Sequence, residues 1–227
     1  MIKIKSCRIA LFFYFMAILA TIAGSLFNEE LLLMIAKPLI VPAIYYYYVL
    51  NTKKISYLLT LALLAYFTTD MIILSDYSNS TYWILFFNSI ANIIFLKFVL
   101  TDLITYQLKF KIIVYSILVI IVNIIILKLI LEFVDENANP LSVMYVMYGS
   151  IVILLGSVTV YNFLNFRDLK NTYALIMSGC FITSDIFYSL YHSFPKIESF
   201  VILNNILQFS SYFFIVKFFL TRKNLLV

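Results

Sequence analysis

Charge is what this chain has least of. Acidic and basic side chains make up 12% of its 227 residues and hydrophobic ones 64%, where a soluble domain has ~25% and ~45–50%. Mean hydropathy is +1.02. No stretch is left that reads as a soluble catalytic or binding domain, so any function lives among apolar segments or at their mouths. Cysteine is scarce too. Cys7 stands at the start of the first apolar run and Cys180 inside the seventh, positions that argue against a disulfide between them. With a single histidine, His192, no ligand cluster emerges, and neither a metal nor a cofactor is expected. Also missing is any alternation of polar and apolar residues along the runs. In lipid only helices and closed barrels satisfy the backbone, and barrel strands alternate. The runs are therefore read as helices, despite their Ile, Val, Phe and Tyr.

What is present is a series of eight apolar runs, near 9–27, 31–50, 55–74, 81–100, 110–131, 141–164, 172–193 and 199–220. Each approaches or exceeds the ~20 residues that a helix needs to cross a bilayer. The expected fold is all-α: a polytopic membrane protein, one transmembrane domain over residues 1–227, built as a bundle of eight helices. MIKIKSCRIA and the run after it could imitate a signal peptide. The apolar stretch exceeds the usual ~7–15 residues, however, and Thr21–Ser25 is a poor cleavage site. It is read as the first span.

Short connections (Asn28–Glu30, Asn51–Lys54, Ser75–Ser80, Phe194–Glu198) predict consecutive helices as antiparallel neighbours. The longest outer turn, Glu132–Pro140, divides the chain into halves 1–135 and 136–227. A short repeat accompanies that division. Lys97-Phe98-Val99-Leu100-Thr101 ends the fourth span and Lys217-Phe218-Phe219-Leu220-Thr221 the eighth, while Thr69-Asp70 and Ser184-Asp185 occupy the spans before them. Equal orientation of the halves implies an axis along the membrane normal.

Loop charges set the orientation. Lys3, Lys5, Arg8, Lys53, Lys54, Lys97, Lys109, Lys111, Arg167, Lys170, Lys217, Arg222 and Lys223 fall on one side, 13 of the 16 cations. The other side holds Glu29, Glu30, Asp76, Glu132, Asp135, Glu136 and Glu198, with Lys128 and Lys196. By the positive-inside rule both termini are cytoplasmic and Asp76 and Asp135 lie outside. A cell (inner) membrane is the expected location. The net charge of +5 is topological and does not call for nucleic acid.

Three charges break the pattern by lying inside spans: Lys37, Asp70 and Asp185. Each costs on the order of 2.5–3.5 kcal/mol at membrane depth, which makes it a functional candidate. At ~1.5 Å per residue, all three lie in the outer half of the membrane, together with Asn88 and Gln208. Five polar residues from five helices are expected to converge on one cavity. Pro38 and Pro42 predict a kink beside Lys37, freeing the Met34 and Pro38 carbonyls. Tyr188 and His192 share a helix face with Asp185, and His192 is read as interfacial. Tyr45–Tyr48 and Tyr57 are read as an aromatic belt, and Asn92, Asn123 and Asn204 as interhelical hydrogen-bonding residues. From these residues alone, a proton-coupled transporter is slightly favoured over a hydrolase, with a non-catalytic membrane sensor as a third reading.

Lys37-Pro38-Leu39 with Pro42, followed by Thr69-Asp70, Ser184-Asp185 and Gln208, resembles the motif series of the YhhN-like lysoplasmalogenases. The resemblance covers most of the chain in span number and order. Thr69 stands in place of the family's glycine, Asn92 in place of a histidine and Asn204 in place of an aromatic residue. The resemblance implies hydrolysis of the vinyl-ether bond of a lysophospholipid or other ether lipid drawn from the membrane, giving a fatty aldehyde and a glycerophospho-alcohol. Such cleavage needs a proton delivered to carbon and water added to an oxocarbenium ion. Two carboxyls in different protonation states can perform both steps. Asp70 and Asp185 are thus the expected catalytic pair, with the deeper Asp185 as acid. Lys37 is assigned to holding the second carboxylate ionised or to meeting the lipid phosphate. Asn88, Tyr188 and Gln208 are expected to bind substrate or tune the acids.

Overall fold

The computed structural model describes residues 2–75, 80–103, 110–132, 139–193 and 197–224. Asp76 and Asp135, expected on the outer side, lie outside the described residues. The elements are α1 (Ile2–Phe27), α2 (Glu30–Asn51), α3 (Tyr57–Leu74), α4 (Ser80–Leu103), α5 (Phe110–Glu132), α6 (Asn139–Asn165), α7 (Leu169–Ser193) and α8 (Glu198–Asn224), and there is no strand among the described residues. Seven of them are long and apolar enough to cross a membrane, and the qualifying stretch of α5, Ile113–Leu129, is shorter. The chain is an integral membrane protein.

The distribution of polarity agrees with a lipid solvent. Large apolar side chains such as Phe12, Phe13, Leu31, Leu64 and Ile93 stand on the outside, while Asp70, Asn92, Thr159, Asn162 and Ser211 are buried. A monomer in water hides apolar surface of that extent. In lipid, the apolar exterior costs nothing and the polar interior is hydrogen-bonded across helices. Asn28, the one non-glycine residue with positive φ among the described residues (54°), turns α1 into α2, and the following amide, Glu29 N–H, donates to Gly24 O at 2.9 Å. Asp168 opens α7 by accepting the Asn171 N–H at 2.7 Å, a capping geometry that satisfies a free helix amide. α2 runs helical through Pro38 and Pro42 without interruption.

Seven helices pack in a closed ring, in the order α1, α2, α3, α4, α6, α7, α8 and back to α1, with α2 also touching α8. α5 lies outside this ring and packs mainly on α6. The expectation that consecutive helices are neighbours throughout is thereby corrected: α4 takes α6 as its partner. The reason is polar. Asn162 of α6 donates to Val99 O of α4 at 3.0 Å, and Asn92 of α4 donates to Tyr148 of α6 at 3.4 Å. The amide of Asn123 on α5 donates to Val119 O of its own helix at 2.8 Å.

The packing order of α1–α4 recurs in α5–α8, and α4 on α6 corresponds to α8 on α2. At the centre Tyr66 stacks on Phe181, with centroids 5.3 Å apart and planes 24° apart. Each ring lies four residues before its helix's aspartate. At the Arg222 end of the bundle Asp102 meets Lys170 at 3.2 Å and Arg222 at 3.3 Å. Arg222 also donates to Phe98 O at 3.2 Å and lies over the Phe98 ring. That clasp joins α4, α7 and α8. The aromatic belt is only partly a belt: Tyr46 and Tyr57 are exposed, but Tyr47 and Tyr48 are buried. The Tyr48 hydroxyl accepts Ser56 N–H at 3.0 Å, and that of Tyr47 accepts from Lys217 at 3.0 Å.

Candidate functional site

The candidate site is a cavity of about 100 Å³ near the Glu198 end of the bundle. It exceeds the ~10–15 Å³ that one water molecule requires on such a measure. Its walls are mainly apolar, among them Ile84, Leu85, Leu127, Val152, Phe181 and Ile182. Asp185 is the carboxylate in the lining, and no Lys or Arg is among the lining residues. Asp185 Oδ2 accepts the Tyr148 hydroxyl at 2.7 Å. The Tyr148 oxygen in turn accepts Asn92 Nδ2 at 3.4 Å, and Asn92 Oδ1 accepts the Tyr66 hydroxyl at 2.9 Å. A chain of donors thus runs from α3 through α4 and α6 to the carboxylate on α7.

Asp70 is held differently. It is fully buried, with Lys37 Nζ 3.7 Å from Oδ1. Gln208 Nε2 donates to Oδ1 at 3.1 Å, and the Tyr212 hydroxyl donates to Oδ2 at 3.1 Å. Gln208 Nε2 is also 3.0 Å from the Tyr212 oxygen. Both amide hydrogens are therefore engaged, and Gln208, itself part of the cavity wall, is left with its side-chain oxygen to offer there. Tyr212 packs at a tilt against Tyr66, centroids 5.2 Å and planes 35° apart, so aromatic rings lie between the two aspartates' partners.

Asp185, Asn88, Tyr188 and Gln208 all line the cavity. Asp70 and Lys37 do not, which corrects the expectation that both carboxyls and the amine open into one pocket. The physical reason is the α8 face: Gln208 and Tyr212, one turn apart, lie across Asp70 and use its acceptor oxygens. Asn88 Oδ1 accepts the Thr69 hydroxyl at 3.0 Å, and Asn204 Oδ1 accepts the Ser184 hydroxyl at 2.6 Å. The residue before each aspartate is thus anchored to the next helix in the same way. Cys7 and Cys180 are both free thiols. The side chain of His192 lies outside the described residues.

Sequence reasoning missed Tyr66, Tyr145, Tyr148 and Tyr212. Among 18 tyrosines nothing in composition separates them. The one available signal was spacing, since Tyr212 follows Gln208 by four residues and shares its face. No family model, curated protein or solved structure matches the chain.

Proposed function

We propose that this protein is an intramembrane hydrolase of the lysoplasmalogenase type, acting on a single-chain vinyl-ether lipid from the outer leaflet, with both termini cytoplasmic. The observation that carries the reading is a lone carboxyl on the wall of an apolar cavity, with one oxygen fixed by Tyr148 and with Gln208 in the same wall. The motif resemblance supplies the reaction class.

In this reading Asp185, in its acid form, delivers its proton to the vinyl carbon remote from the ether oxygen. The double bond's electron pair forms the new C–H bond, and the positive charge is shared between the other carbon and oxygen. A water molecule held by Gln208 Oε1 adds to that carbon and returns a proton to the Asp185 carboxylate. The resulting hemiacetal breaks its C–O bond, its hydroxyl proton passes to the departing oxygen, and aldehyde and alcohol separate. One carboxyl serves as acid and then as base. Asp70, Lys37 and Tyr212 act as positioning residues by fixing the Gln208 amide.

The test is release of fatty aldehyde from lysoplasmalogen by the purified protein in detergent. Asp185→Asn is expected to lower turnover by at least ~10²-fold, the scale of a lost general acid. Equal turnover in wild type and Asp185→Asn removes the carboxyl from the chemistry. Proton-coupled uptake into vesicles, with no aldehyde from any vinyl-ether lipid, assigns the protein to transport instead.

A further inference from the structure

The charges around the cavity are one-sided. Asp185 brings a carboxyl, Lys37 is turned away onto Asp70 at 3.7 Å, and no other basic side chain is in the lining. Four tyrosines, Tyr66, Tyr145, Tyr148 and Tyr188, share the wall with Asp185. Aromatic faces attract cations, more strongly when water is excluded. The remaining amide oxygens point the same way. Gln208 keeps its oxygen, while the oxygens of Asn88 and Asn204 are already taken by Thr69 and Ser184. The donors the lining offers an anion, the Asn88 and Asn204 amide nitrogens and hydroxyls such as that of Tyr145, are all uncharged. A phosphate placed here would find no cation in the lining to offset it, and burying unpaired charge is costly. The apolar remainder of the wall suits a hydrocarbon chain.

We propose that the cavity is a binding site for single-chain amphiphiles with a cationic head, long-chain primary amines in particular, the ammonium resting on Asp185 among the tyrosine rings and the chain along the apolar wall. The ligand class goes beyond the hydrolase reading. It rests on that reading for one consequence only: the oxocarbenium ion formed in the reaction is a cation in the same place, and a long-chain ammonium resembles it in charge and shape. Groups that stabilise a transition state bind its analogues more tightly than substrate. A lipid phosphate, by the same argument, stays outside the cavity at the membrane surface.

The experiment measures thermal unfolding of the full chain in detergent with dodecylamine, dodecanol or dodecanoate, each added at the same mole fraction of the micelle. Dodecylamine is expected to raise the unfolding temperature of wild type while dodecanol and dodecanoate leave it nearly unchanged. Asp185→Asn is expected to need at least ~30-fold more amine for the same shift, the low end for loss of a hydrogen-bonded charge partner. Tyr188→Leu keeps the carboxyl and weakens the response to a smaller degree, which covers the case in which Asp185→Asn does not fold. Equal shifts from amine and alcohol overturn the proposal. So does an amine response of the same size in Asp185→Asn, which marks an effect of micelle charge. Amine binding without aldehyde release from vinyl-ether lipid leaves this site standing and removes the hydrolase reading. Aldehyde release that saturating amine does not inhibit places the amine elsewhere and overturns the proposal.

Discussion

Gln208 shows how one side chain is read by its neighbours. An ionised carboxylate can only accept hydrogen bonds, so the amide nitrogen faces Asp70, and a flipped amide sets two acceptors against each other. Lys37 supplies the countercharge that this arrangement needs at 3.7 Å. Lys37→Met leaves a buried carboxylate uncompensated, and removal of one partner of a buried ion pair costs about 3–5 kcal/mol. Denaturant unfolding in detergent is expected to show that loss. Adding Asp70→Asn to Lys37→Met is expected to restore most of it, since neither charge remains. If Lys37→Met alone is as stable as wild type, the pair does not hold the Gln208 network together.

Among the elements, α5 stands apart because its attachment runs mainly through α6. The contact is close at Gly149, where an added Cβ falls 2.5 Å from Leu127 Cδ1 and 2.9 Å from Cδ2. Both residues line the cavity, so this glycine lets α5 close the wall. Gly149→Ala presses on the Leu127 methyls and on its Cγ at 3.2 Å, contacts that a rotation of that leucine relieves, and is expected to cost little. Gly149→Leu overpacks the contact and is expected to cost about 1–3 kcal/mol. The same substitution in a Leu127→Ala background, where the space exists, is expected to cost much less, and thermal unfolding of the four variants gives the coupling. Equal costs in both backgrounds place the strain elsewhere. α4, α7 and α8 have a different fastening, the Asp102–Lys170–Arg222 cluster at their common end.

At the scale of the whole molecule, the ring of seven helices puts the Lys53 and Arg222 ends on one face and the Asn28 and Glu198 ends on the other. A direct link on the latter face is the Asn28 Nδ2 to Glu198 hydrogen bond of 3.3 Å. In the proposed orientation the basic face is cytoplasmic. With Cys7 and Cys180 replaced by Ser, Lys53→Cys is expected to be shielded from a membrane-impermeant maleimide in intact cells, and Glu30→Cys to react. Reaction of both from the same side defeats the topology.

Much of the architecture was legible without coordinates, because a bilayer narrows the choices. Run length and missing alternation are enough to specify helices when the backbone has no water to bond. The depth of Asp185, Asn88 and Gln208 along their runs follows from the helical rise alone, and these three do meet in one cavity. Depth says nothing of azimuth around the axis. Asp70 lies at a depth where it could have opened into that cavity, and the structure turns it instead toward Lys37, Gln208 and Tyr212. Choice of neighbour was equally hidden. α4 takes α6 because Asn92, Tyr148, Asn162 and the Val99 carbonyl find one another, a match between distant residues that no local pattern encodes. Tyr188 was legible from its face on the Asp185 helix, but Tyr66, Tyr145 and Tyr148 were hidden for the same reason: in so aromatic a chain, only packing decides which rings face lipid and which line the cavity with a carboxylate.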